Sequence, residues 1–89
     1  MELTINDFAI LKSILSDNDI DKGVIKTKGT SIKEIIEMTG LSYNKIYQSL
    51  NQFKIKGLIE YGLSRGREKT FIVTEYGLLT IKEIIGGEY

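Results

Sequence analysis

Apolar residues recur along this chain at two spacings. Between residues 5 and 16, Ile5, Phe8, Ile10, Leu11, Ile14 and Leu15 follow a helical rhythm. Thr4 precedes them as a capping residue, and Asp7 falls three positions later, near the positive end of the helix. A first helix over about 5–16 is predicted. At about 100° per residue its apolar positions cover roughly 220°, against the ~100° stripe that one core requires. Two explanations are open: a central helix wrapped by its own domain, or one with part of its surface facing a second subunit. Ser31 and Glu34 form a capping-box pair for a second helix reaching about Met38, with Ile32, Ile35 and Ile36 as its stripe. Thr39, Gly40 and Leu41 make a tight turn in which Gly40 tolerates positive φ, and Ser42 caps a third helix over about Tyr43–Lys56. Ile46, Leu50 and Phe53 are its buried ridge, with small Ser49 beside them and Gly57 at its end.

Beyond Gly57 the period changes. Residues 58–63 and 70–73 read as antiparallel strands joined by residues 64–69, where Gly66 supplies turn freedom. Thr74 and Glu75 open a last helix to about Ile85. Its main face is Leu78, Ile81, Ile84 and Ile85, and Tyr76 with Leu79 makes a smaller apolar patch. Residues 17–30 are a polar connector with a short strand expected around Val24–Thr27, and residues 86–89 are a short, frayed tail. The order predicts one domain over 1–89, mainly α with a small antiparallel β-hairpin. Two short helices joined by a glycine turn are the helix-turn-helix arrangement.

Charge sharpens this picture by its distribution. Twelve basic and twelve acidic side chains cancel overall, yet no acidic residue lies between Glu37 and Glu60. Residues 42–69 hold Lys45, Lys54, Lys56, Arg65, Arg67 and Lys69 against Glu60 and Glu68, a surplus of four positive charges. A basic face on a neutral protein follows. On the third helix Asn44, Lys45, Gln48, Asn51 and Gln52 lie away from the apolar ridge, with Tyr43, Tyr47 and Lys54 on the border. A carboxylate-free face carrying amides, tyrosines and lysines suits a polyanion with readable edges, meaning DNA.

Several chemistries drop out. With no Cys and no His there are no disulfides, no thiolate, no usual zinc site and no imidazole base. No nucleophile–base or carboxylate pair stands out, so neither catalysis nor a cofactor is expected. Asp17, Asp19 and Asp21 alternate as in a calcium loop, but Lys22 takes the sixth position, where Gly makes the turn, and Lys28 the twelfth, where a bidentate Glu is required. A solvated acidic loop is the expectation. No apolar run approaches ~18 residues, and the first four residues lack the features of a signal peptide, so a cytoplasmic protein without membrane contact is expected. One Ala, no Pro and an excess of Ile, Lys, Asn and Tyr resemble coding by an A·T-rich bacterial, phage or plasmid genome.

Residues 42–60, through Leu50, Phe53, Gly57, Leu58 and Ile59, resemble the recognition helix and following strand of bacterial winged helix-turn-helix regulators of the MarR, ArsR and PadR type. Residues 65–78 resemble their wing and the Thr-x-x-Gly start of the next helix, here Thr74 to Gly77. The resemblance covers roughly residues 31–80 and is specific for the fold more than for the role. Lacking Cys and His, the chain departs from metal-sensing ArsR-type repressors, and at 89 residues it lacks the long extra helices of MarR proteins. Its size, element order and Gly66-Arg67-Glu68-Lys69 wing are similar to the TubR family, the DNA-binding adaptors of tubulin-type partition systems. That resemblance implies a dimer on repeated centromere sites that hands the complex to a tubulin-like GTPase filament.

The expected interface is Ser42, Tyr43, Asn44, Lys45, Tyr47, Gln48, Asn51 and Lys54 on the helix, with Arg65, Arg67 and Lys69 on the hairpin. Asn44 and Gln48 lie one turn apart near the helix start, where amides can pair bidentately with adenine N6 and N7. An A·T-rich duplex is therefore the expected target. The cations would supply salt-sensitive phosphate attraction. The spare arc of the first helix and the Tyr76/Leu79 patch predict a homodimer on a repeat or palindrome. Each feature also has a plainer reading. The amides are then a neutral solvated face, the tyrosines core-edge residues, and the hairpin cations turn solubilisers. A winged helix can also dock a protein, for instance in replication or filament recruitment.

Overall fold

The computed structural model describes residues 3–86; the tail residues 87–89 and residues 1–2 lie outside the described part. Helix α1 spans Ile5–Ser13, β1 Thr30–Ser31, α2 Ile32–Thr39, α3 Tyr43–Ile55, β2 Ile59–Tyr61, β3 Thr70–Val73 and α4 Glu75–Gly86. The helix starts are chemically marked. Reciprocal capping boxes close the ends of α1 (Thr4 with Asp7) and α2 (Ser31 with Glu34), and the Ser42 hydroxyl accepts from the Lys45 N–H. Thr74 Oγ1 accepts from the Gly77 N–H at 3.0 Å to start α4. Gly40 stops α2 at φ 72°, a left-handed cap that frees the chain to turn toward α3.

The three strands form one antiparallel sheet in the order β1-β3-β2. Ile59 pairs with Val73, Tyr61 with Phe71, and Thr30 with Phe71 on the other side of β3. The predicted hairpin is thus the wing, and the sheet has a third strand that the sequence pattern does not announce. The strand expected around Val24–Thr27 is absent: Lys26–Lys28 is a 3-10 turn, and the pairing residues are Thr30 and Ser31. A two-residue strand has no periodicity to read, and Ser31 serves at once as strand residue and helix cap. As the middle strand, β3 is buried at all four positions, without alternation.

Ile10, Leu11, Ile14, Ile35, Ile46, Leu50, Phe53, Leu58 and Ile81 build the core with Ile59, Phe71 and Val73 of the sheet. At about 25 cal/mol per Å² of apolar surface, each fully buried side chain contributes roughly 1.5–3 kcal/mol. The wide apolar arc of the first helix resolves in part. The helix ends three residues early, so Ile14 and Leu15 lie beyond it, and the spare surface reduces to Ile5, 89% exposed, with Phe8 half-buried. On α4, Tyr76 and Leu79 stay exposed while Ile81 is buried.

The connector is tied down rather than loose. Gly23 donates to the Lys28 carbonyl and accepts from the Val73 N–H, both at 2.7 Å. Thr30 Oγ1 donates to the Ile14 carbonyl at 2.6 Å, inside the core. Asp19 accepts from Lys28 Nζ at 2.9 Å and from the Asp21 N–H at 3.0 Å, so the acidic loop meets its charge partner within itself.

Candidate nucleic-acid interface

Helix α3 buries Ile46, Ser49, Leu50 and Phe53 and turns Tyr43, Asn44, Tyr47, Gln48 and Gln52 outward, with Asn51 half-buried. The side-chain hydrogen bonds of this helix come from Lys45, Ser49 and Lys54. Among the described residues the amides of Asn44, Gln48, Asn51 and Gln52 have no partner, so each keeps both donor and acceptor for something outside the chain. Tyr43 and Tyr47, one turn apart, stack with ring centroids 5.9 Å apart and 9° between planes. They are about half exposed. Stacking stiffens both rings beside the amides.

Two carboxylates from elsewhere reach this region. Asp7, the capping-box partner of Thr4 in the first turn of α1, accepts from Ser49 Oγ at 2.8 Å and from Lys45 Nζ at 3.2 Å. Partial burial pushes its carboxyl up, but the bonds from Ser49, Lys45 and Thr4 outweigh this and hold it below the usual range. The helix that lacks carboxylates in sequence therefore receives one in space, and Lys45 is a paired cation. Glu34, in the first turn of α2, is a second hub. It takes Lys22 at 2.7 Å and the Arg65 guanidinium of the wing, which also lies 3.6 Å from Glu68. Arg65 is thus a clasp fixing the wing to α2, not an unpaired cation at its tip. The sequence could not show either pairing, since the partners are 38 and 31 residues apart.

The remaining expected cations are placed differently. Arg67 has no carboxylate partner among the described residues, and Gly66 turns the tip at φ 62°. Lys69 lies 5.3 Å from the centroid of the Tyr61 ring, and Lys54 lies 4.1 Å from the same centroid. Tyr61 carries no signal of its own in the sequence; only the strand register reveals it, by pairing it with Phe71 on the face toward α3. Ser42 is engaged as the α3 cap. Between α2, α3 and the wing runs a groove of about 550 Å³ floored by Ile32, Ile36 and Leu50 and rimmed by Tyr47, Asn51 and Arg67. Of the expected residues, Tyr43, Tyr47, Asn51, Arg67 and Lys69 line this groove, whereas Lys45 and Gln48 line a second hollow with Asp7, Ser49 and Gln52; Lys45 and Arg65 are already neutralised. No group of three or more metal-ligating side chains occurs among the described residues, and no described helix is long and apolar enough to cross a membrane.

The Glu34 hub has a measurable signature. Partial burial raises its carboxyl pKa, while bonds from Lys22, Arg65 and the Ser31 N–H lower it by more, leaving it at about 2 against an ordinary 4.5. A depressed carboxyl stabilises the fold above its unfolded pKa and loses that contribution as pH falls toward the folded value. The window is therefore pH 4.5 down to about 2. Linkage sets a ceiling of about 3 kcal/mol, which solvent screening at a site one-third exposed reduces to roughly 1–2 kcal/mol. Glu34→Gln should lower stability at neutral pH and flatten the acid limb in denaturant midpoints measured from pH 5 to 2. An acid limb as steep as the wild type's would reject the hub.

No protein-family model matches the chain, and no curated protein matches it. Among solved structures, TubR from Bacillus megaterium pBM400 superposes with TM-score 0.77 at 23% identity, over 94% of this chain and 88% of that one. BpsR of Bordetella bronchiseptica, whose DNA binding is regulated by 6-hydroxynicotinic acid, gives 0.74 at 18% identity over 96% of this chain and 54% of its own. TubR of Bacillus thuringiensis serovar israelensis pBtoxis, bound to 24 bp of tubC, gives 0.68 at 19% identity over 93% and 81%. The chain spans about half the length of BpsR. Element order, sheet topology and these superpositions together establish that the chain has the winged helix-turn-helix fold.

Proposed function

We propose that this chain is a sequence-specific double-stranded DNA-binding protein of the cytoplasm, with α3 in the major groove and the β2–β3 wing on the flanking backbone. The observation that carries this reading is the open face of α3: four unpartnered amides, two stacked tyrosines and no carboxylate of the helix itself. A bare solvated face gains nothing from excluding carboxylates, whereas a phosphate-lined groove repels them. The fold's likeness to a TubR bound to DNA supports the same reading. It acts as a small transcriptional regulator or as a partition adaptor; likeness to two TubR chains over most of their length favours the adaptor, whose partner would be a tubulin-like GTPase. It is not an enzyme in this reading. Exposed Ile5, Tyr76 and Leu79 supply apolar surface for a homodimer, which would set two recognition helices on an A·T-rich repeat or palindrome.

The wing assignment separates its two arginines. Arg67→Ala should weaken duplex binding and reduce the slope of log affinity against log salt by about 0.9 per bound chain, the share of one neutralised phosphate. Arg65→Ala should change that slope less, because Glu34 already matches its charge, and should lower the melting temperature instead. Fluorescence anisotropy across a salt series, with sedimentation of the complex to count chains per duplex, checks both. A salt slope unmoved by Arg67→Ala rejects the wing's hold on the backbone, and one chain per site rejects the dimer.

A further inference from the structure

The side chains of Lys54, Tyr61 and Lys69 come from the last turn of α3, from β2 and from the wing residue just before β3, and they meet around the Tyr61 ring. Lys54 Nζ donates to Tyr61 Oη at 2.6 Å and lies 4.1 Å from the ring centroid. Lys69 Nζ is 5.3 Å from the same centroid. Two ammonium groups share one ring, and among the described residues neither is paired with a carboxylate: the nearby Glu68 leans on Arg65. Attraction to a ring face relieves only part of such like-charge crowding. The ring is also held in place. Phe71, Tyr61's cross-strand partner and 5% exposed, packs against it at 5.3 Å between centroids. Because Lys54 donates to the phenolic oxygen, the hydroxyl hydrogen is left free to donate to another group. Three donor groups thus stand around one ring, and two of them, Tyr61 and Lys69, line the α3–wing groove.

We infer that Lys54, Tyr61 and Lys69 form a preorganised cup for a single phosphodiester of the duplex backbone, with Tyr61 donating its hydroxyl hydrogen to a phosphate oxygen. This rests on the DNA-binding reading and adds a fixed point to it. A phosphate seated at the C-terminal end of α3 sets how far Asn44 and Gln48, near the other end, reach along the groove, so the cup positions without reading sequence. The hydrogen bond from Lys54 also holds the Tyr61 hydroxyl below its usual pKa, which makes it a better donor to an anion.

The test uses a fluorescently labelled A·T-rich duplex of about 20 base pairs, two helical turns, across a salt series. Tyr61→Phe keeps the ring and its packing and removes one neutral donor; affinity should fall about 3- to 10-fold with the salt slope unchanged. Lys69→Ala should lower affinity and reduce the slope by less than the ~0.9 of a whole phosphate, because Lys54 still faces the same group. In the double variant the two losses should be non-additive, since both act on one phosphate. The ranking of affinities among different duplexes should stay as in the wild type. Wild-type affinity and slope in both single variants, with the parent still binding DNA in a salt-dependent way, would overturn the cup and leave the DNA reading standing. A parent chain that binds no duplex in a salt-dependent manner would overturn both.

Discussion

Gly23→Ala is expected to lower the melting temperature by roughly 15–30 °C, the loss of about 3–5 kcal/mol from a domain of this size. Two effects combine at this buried connector residue. Its φ is 75°, in the left-handed region, where any side chain costs about 1–2 kcal/mol. A Cβ built there would lie 2.0 Å from the Ile14 carbonyl oxygen, which is itself engaged by Thr30 Oγ1. Backbone cannot swing aside as a flexible side chain does, so Gly23 would have to pull away from the Lys28 and Val73 hydrogen bonds that tie the connector to the sheet. Gly40→Ala is the control. Its φ of 72° is similar but nothing lies within 4 Å of the added Cβ, so only the dihedral cost of about 1–2 kcal/mol should appear. Thermal melts of both variants separate the two effects. Equal shifts would show that the close approach to Ile14 contributes nothing.

Replacing Asn44 and Gln48 by alanine should abolish most of the discrimination between target and unrelated duplexes, by about 10- to 100-fold per residue. Non-specific affinity and its salt dependence should survive, because neither residue carries charge. Both side chains are exposed and without a partner among the described residues, so truncation leaves no buried group unsatisfied and stability should move by less than about 0.5 kcal/mol. Selection from random duplexes by the parent chain should return A·T-rich sites, as bidentate pairing of amides with adenine requires. A variant that ranks duplexes as the parent does would remove α3 from the reading role. Combined with the Arg67→Ala series, the experiment divides the interface into a reading part and a holding part.

Most elements are legible in the sequence because their signals are local. Capping pairs such as Ser31 with Glu34 act over three residues, the Ile46, Leu50 and Phe53 ridge repeats within two turns, and Gly40 and Gly66 mark their turns alone. Sequence and structure part where local signals are weak or shared. The β-branched residues near Val24 suggest a strand, yet Thr30 and Ser31 pair with β3, because backbone geometry there is set by Phe71 and Thr70 from across the chain. Apolar spacing carries the first helix through Ile14 and Leu15, past the point where the backbone turns.

By itself the sequence determined which helix presents amides and tyrosines, where it starts, and that no carboxylate interrupts it, since helical spacing assigns every side chain of one element to a face. Only the tertiary structure decided which charges remain available. Asp7 claims Lys45, Glu34 claims Arg65, and Tyr61 gathers Lys54 and Lys69. Coulomb and hydrogen-bond partners are chosen by distance in space, and in this fold each of those distances is set by packing between segments that the chain itself keeps apart.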